Sequence, residues 1–158
     1  MADAESEPLD QDECFALLAA GVIGRIGFVS DRDPVVLPIN FRLVRSTGVT
    51  PGTWIAVRTR PGNVIDKALR TVAFEIDSYD SDRRAGWSVL VQGELFHIDG
   101  GVAAIRTQFD SHPWLVDERD SWLLIQPFSV SGRRLHLAPQ EWALDTGPGA
   151  STDRDRKE

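Results

Sequence analysis

The stretch GWSVLVQGEL, Gly86 to Leu95, decides how the chain is read. Taken by twos, Trp87, Val89, Val91 and Leu95 fall on one side and Ser88, Gln92 and Glu94 on the other, with Leu90 the exception. Such alternation belongs to a strand with one face in a core and the other outside it. On this pattern alone Trp87 is a core residue, Ser88 faces solvent, and Gly86 marks the turn into the strand.

The same period recurs on both sides of it. VIGRIGFV (22–29), PVVLPINFRLV (34–44), GTWIAVRT (52–59) and TVAFEIDS (71–78) precede it, and two strands, Trp122 to Pro127 and Ser129 to Leu137, follow. Turn formers separate them at Ser30-Asp31-Arg32-Asp33 and at Ser46 to Gly52. Three short helices are expected. In the first, Asp10 followed three positions on by Glu13 makes an N-cap with its capping-box partner, Cys14, Leu17 and Leu18 form the apolar stripe, and Gly21 ends it. The second runs from Asn63 to Arg70 with Asn63 as N-cap, and the third covers 101–110.

Six or seven strands with helices confined to ends and crossings predict a mainly β chain with short helices, an antiparallel barrel rather than a doubly wound parallel sheet. Pro38 stands inside the second strand and cannot donate to a ladder, so that strand is expected at an edge or with a bulge, its local backbone groups open to a ligand. Residues 1–8 read as a disordered lead, 9–144 as one domain and 145–158 as a disordered tail.

The chain has 158 residues, enough for a single core without metal or disulfide support. With 24 acidic against 17 basic residues its formal charge is −7, which repels a phosphate backbone and argues against nucleic acid as a partner. Neither a secretory leader nor an apolar run long enough for a membrane span is seen, so a cytoplasmic location is expected. The lone Cys14, set among apolar residues, reads as a buried thiol.

The three histidines, His97, His112 and His136, fall in different elements without companions, so no metal site is expected. There is no G-x-S-x-G, no Walker loop and no G-x-G-x-x-G. No acid–base pair is picked out by spacing, and an enzyme built this way takes its chemistry from a cofactor. VRTRPGN (57–63) offers an anion site, with Arg58 and Arg60 as cations, Thr59 as a hydroxyl donor and amides at Gly62 and Asn63; the alternative is a solvated face.

Five segments in order, LDQDECFALLAAGVIGRIGFV, PVVLPINF, VRTRPGN, VAFEIDSYD and GWSVLVQGEL, resemble the pyridoxamine 5'-phosphate oxidase-like family of flavin-binding split barrels. The small actinobacterial and nitroimidazole-resistance branches are the most similar. The resemblance runs from Leu9 to Leu137 and implies a six- to seven-stranded split β-barrel that forms a homodimer, with FMN in grooves between the subunits. On it, Pro38, Ile39 and Asn40 match the strand along the isoalloxazine ring, and Arg58 and Thr59 the strand end that meets the ribityl and phosphate groups. Gly62 and Asn63 match the phosphate loop, while Trp87 and Ser88 match the strand start that borders the flavin.

One departure stands out. Relatives place lysine or arginine after the phosphate-loop glycine pair, whereas this chain has Asn63-Val64-Ile65. A lost charge-assisted bond to a phosphate is worth on the order of 1.5–3 kcal/mol if buried. Lys67, Arg58 or Arg60 would have to compensate, or the groove prefers another ligand. Oxidation of pyridoxamine phosphate itself is not expected, since the family's terminal tryptophan and arginine pattern is missing; Arg133 and Arg134 read as barrel-edge residues. The resemblance implies a flavin-dependent oxidoreductase passing hydride to a small planar acceptor. The alternatives are a deazaflavin coenzyme in place of FMN, or a non-catalytic dimer that stores a flavin or has lost it.

Overall fold

The computed structural model describes residues 5–46, 51–59, 62, 64–97 and 121–136. Seven strands form one antiparallel sheet: β1 (Glu5–Leu9), β2 (Ile23–Ser30), β3 (Asp33–Ser46), β4 (Gly52–Thr59), β5 (Thr71–Asp80), β6 (Ala85–His97) and β7 (Ser121–His136). Their order is β1-β7-β4-β3-β2-β5-β6, and β6 pairs back onto β7, so six strands close a barrel and β1 adds a seventh beside β4 on the same edge of β7. Closure removes most of the free edge an open sheet would carry. The mainly β barrel read from the sequence is the fold.

Alternation fills the interior. Ile26, Ile55, Val57, Phe74, Val89, Val91 and Ile125 are fully buried in one cluster, with Phe41 against Phe74 edge to face at 4.8 Å between ring centres. Burying each such side chain contributes about 1.5–3 kcal/mol. Trp87 is half-buried and packs on this cluster, as the period of two requires.

The helix α1 (Gln11–Ala20) starts where the capping box says it should. Asp10 Oδ1 accepts from the Glu13 amide at 2.8 Å and Glu13 Oε2 accepts from the Asp10 amide at 3.0 Å. Cys14 and Leu18 bury its inner face against the core, and Arg134 at the barrel edge reaches Glu13 at 3.3 Å.

Three expectations are corrected. Residues 5–8, read as part of a disordered lead, belong to β1 and pair with Arg133–His136 of β7; backbone pairing holds a segment in which Ser6, Glu7 and Pro8 are exposed. The two last strands are one, because β6 pairs on both sides of Phe128, which is passed over between the pairs Gln92–Ser129 and Gly93–Pro127. This bulge absorbs Pro127, and glycine is required opposite it, since a Cβ on Gly93 would lie 2.5 Å from the Gln126 carbonyl oxygen. The helix expected over 63–70 contracts to a 3-10 turn, Val64–Lys67, because the Leu69 amide is drawn to the Val29 carbonyl of β2 at 3.1 Å. The helix at 101–110, the tail 145–158, Asn63 and Arg60 lie outside the described residues.

Candidate functional site

β3 is paired differently along its length. β2 pairs with Asp33–Asn40 and β4 with Phe41–Ser46, so along Asp33–Asn40 the edge turned away from β2 has no strand beside it among the described residues. Pro38 lies in that half, where a missing N–H costs least. Pro38 and Asn40 are exposed and Ile39 is half-buried against the core.

At the junction of the two halves opens a pocket of about 300 Å³, lined by Val22, Asn40, Phe41, Arg42, Ala56, Arg58 and Trp122. The sheet register builds it. Arg42 stands opposite Ala56, and Arg58, one alternation further along β4, stands opposite Trp122 of β7. Both guanidinium groups therefore flank one small residue whose side chain leaves room between them. Arg42 Nη1 donates to the Phe41 carbonyl at 3.1 Å. In a chain of formal charge −7 this lining, among the described residues, holds two arginines and no carboxylate.

A second apolar cluster forms the pocket's outer floor. Val44, Trp54, Ala56, Trp122 and Leu124 pack together on the face of the sheet opposite the barrel interior, with Phe96 against them. Trp54 and Phe96 lie 5.6 Å apart, and Arg70 sits over the Phe96 ring at 5.4 Å. Hence β4 is covered on both faces, which its uninterrupted run Trp54-Ile55-Ala56-Val57 foreshadows.

Of the residues expected from the sequence, Asn40 and Arg58 meet in this pocket, and Pro38, Ile39 and the buried Thr59 adjoin them along their strands. Gly62 and Lys67 lie apart, near the hairpin that joins β2 to β3. The Gly62 amide, at φ +81°, donates to Asp66 Oδ2 at 2.7 Å, and Lys67 Nζ lies 3.8 Å from Asp31 Oδ2. Trp87 and Ser88 start β6, where Ser88 faces Asp77 of β5 and Arg133 of β7; three strand spacings, about 14 Å, separate β6 from β3. Arg42, Val22 and Trp122 were not singled out by sequence. Their common signal is positional, since they become neighbours only once β3, β4 and β7 lie side by side.

The outer wall between these places carries a charge cluster. Arg25 bridges Glu75 at 2.7 Å and Asp77 at 2.6 Å, and these two carboxylates, Asp77 foremost, hold the guanidinium still more firmly protonated. Burial first, then Asp10 and Glu13, pushes the Cys14 thiol up, so it is no nucleophile. Among the described residues no group of three or more His, Cys, Asp or Glu is placed to hold a metal, and no helix is long and apolar enough to cross a membrane. The pocket offers cations, an amide and an indole, a setting for a planar ligand with an anionic group. Among the described residues no proton-transfer group lines it.

Known proteins share this architecture. The FAD-binding protein of Mycobacterium smegmatis superposes with a TM-score of 0.58 at 25% identity, covering 82% of this chain and 98% of its own. An FAD-binding protein of Mesorhizobium loti shares the fold with a TM-score of 0.64 at 20% identity, over 85% of this chain and all of its own (100%). The uncharacterized protein Rv0080 of Mycobacterium tuberculosis is 33% identical over 132 residues, 80% of this chain and 84% of that protein. The sequence profile of the pyridoxamine 5'-phosphate oxidase family matches residues 10–134, and the chain belongs to that family.

Proposed function

We propose that the protein binds a flavin, FMN by its family pattern, and serves as a flavin-dependent oxidoreductase acting on a small planar acceptor. The observation that carries this is the open half of β3 running into a pocket lined, among the described residues, by two arginines, an asparagine and a tryptophan, with no acid. These residues fit such a cofactor: guanidinium groups suit its anionic end, and the exposed backbone of Pro38–Asn40 suits the edge of a flat ring. When bound, a flavin supplies hydride or single-electron transfer. The chain's own part is to hold and orient it, with the Asn40 amide available to the ring and Arg58 and Thr59 towards its tail.

A homodimer completes the proposal. Ile23 and Val36 on the outer wall are 65% and 66% exposed, and with Val22 and Leu90 they give that wall an apolar character that a second copy would cover. Trp87 and Ser88 enter the site only through such a pairing.

Three readings compete. A deazaflavin coenzyme is favoured by the missing basic residue at Val64. The name of the M. smegmatis relative favours FAD. Storage without catalysis is consistent with a pocket that, among the described residues, has no acid or general base in its lining. Denaturing release of small molecules from the purified protein, followed by mass spectrometry, is expected to yield FMN. Recovery of FAD or a deazaflavin redirects the cofactor assignment, and a protein that takes up no flavin overturns the reading. Stopped-flow reduction of the loaded protein by a reduced nicotinamide separates an enzyme from a store, and sedimentation is expected to give a dimer.

A further inference from the structure

We propose that the phosphate-bearing end of the flavin is held by Arg42 beside Arg58, rather than at Gly62 and Lys67 after β4. The inference rests on the flavin reading above and adds a residue that the family pattern does not point to.

After β4, the Gly62 amide is bonded to the Asp66 carboxylate at 2.7 Å, and Lys67 lies within 3.8 Å of Asp31. The position after Asn63 is Val64, with no charge to offer. A dianion brought to Gly62 and Lys67 would meet Asp66 and Asp31, and like charges at such range repel.

The pocket differs in its lining. Arg42 and Arg58 face the same space from adjacent strands, and among the described residues no acid lines it. Arg42 donates to the Phe41 carbonyl and has no carboxylate partner among the described residues. A guanidinium has five N–H donors in a fixed fork that matches phosphate oxygens in pairs, so most of that fork is available to a ligand. Val22, Phe41 and Trp122 wall the space with the apolar and aromatic surface that the organic part beside a phosphate needs. The shared chemistry is a phosphate ester, the monophosphate of an FMN-type ligand or the diphosphate of an FAD-type one.

The test titrates riboflavin, FMN and FAD into the full chain and its Arg42→Gln and Lys67→Gln variants, reading flavin fluorescence. Arg42→Gln is expected to weaken FMN and FAD by about tenfold or more while riboflavin, which lacks the phosphate, stays within about twofold. Lys67→Gln is expected to leave all three within about twofold. The tighter of FMN and FAD in the unmodified chain tells one phosphate from two. The proposal is overturned if Arg42→Gln binds FMN as before, if it loses riboflavin to the same degree, or if Lys67→Gln shows the tenfold loss instead. Arg42→Lys keeps the charge without the fork, and stands in with the same expectation should the glutamine variant fail to fold. If none of the three flavins binds the unmodified chain, the flavin reading fails, and calorimetry with inorganic pyrophosphate then decides the anion site. Heat that disappears in Arg42→Gln upholds it, and heat unchanged by the substitution, or absent throughout, overturns it.

Discussion

The two halves of β3 have nearly the same apolar content and different fates. Along Asp33–Asn40 burial alternates between exposed and half-buried with no fully buried residue, whereas Phe41, Val44 and Ser46 in the second half are all buried. Neighbours make the difference. The first half has β2 on one edge and an open edge on the other, while the second leans on β4, which is apolar on both faces. Hydrophobicity in a strand thus says that it can be covered, and topology says where it is. The pocket opens at Asn40–Arg42, where one condition changes to the other.

The largest expected effect tests that contrast. Phe41→Ala removes a ring packed edge to face on Phe74, and it is expected to lower the unfolding free energy by about 3–5 kcal/mol. Ile39→Ala, two residues back and only half-buried, is expected to cost under about 2 kcal/mol, since much of the area it loses already faces water. Urea unfolding of both variants provides the comparison. Equal losses would mean that the first half is as covered as the second, and the open edge would have to be abandoned.

The sequence made one of these halves easier to read than the other. Pro38 announces an unpaired backbone wherever it sits in a strand, and the Asp10–Glu13 box announces a helix start, because both act within a few residues. Alternation in β6 likewise places Trp87 and Val89 inward without reference to any other element, and the glycine that opens it is explained by the Ser78 carbonyl, which a Cβ on Gly86 would approach to 2.7 Å. Illegible were the features that closure creates. β1 is polar and is held by the β7 backbone, β7 continues past Phe128 because β6 runs beside it, and Arg42 meets Arg58 and Trp122 across strands far apart in the chain. For the candidate site, local chemistry identified Pro38 and Arg58, the family resemblance added Asn40, and pairing supplied the rest.

Hydrogen exchange sharpens the comparison residue by residue. Amides of Val35–Asn40 that point to the open edge are expected to exchange orders of magnitude faster than that of Val44, which points to β4, because a ladder bond must open before its amide exchanges. Added flavin is expected to slow the open-edge amides and to leave Val44 unchanged. Protection appearing elsewhere on the barrel would move the ring away from Pro38–Asn40.

The smallest expected effect lies at the covered end, where α1 packs on the barrel. Cys14 is 1% exposed, and a Cβ on Gly132 would come within 2.7 Å of its sulfur. Burial, reinforced by the nearby Asp10 and Glu13 charges, raises the thiol above its ordinary 9.0. In the unfolded chain the thiol ionises at that ordinary value while the native one keeps its proton. Its stabilising contribution is therefore complete below pH 9.0 and declines as pH rises beyond it, until the native thiol also ionises. One such group changes stability by at most about 1.4 kcal/mol per pH unit. Unfolding measured from pH 8 to 10 is expected to show a shallower alkaline decline in Cys14→Ala than in the unmodified chain, and an aromatic disulfide reagent is expected to label Cys14 no faster than the protein unfolds. Rapid labelling of the folded protein would show that this end of the barrel opens as readily as the edge beside Pro38, and the distinction between the two regions would then be one of degree.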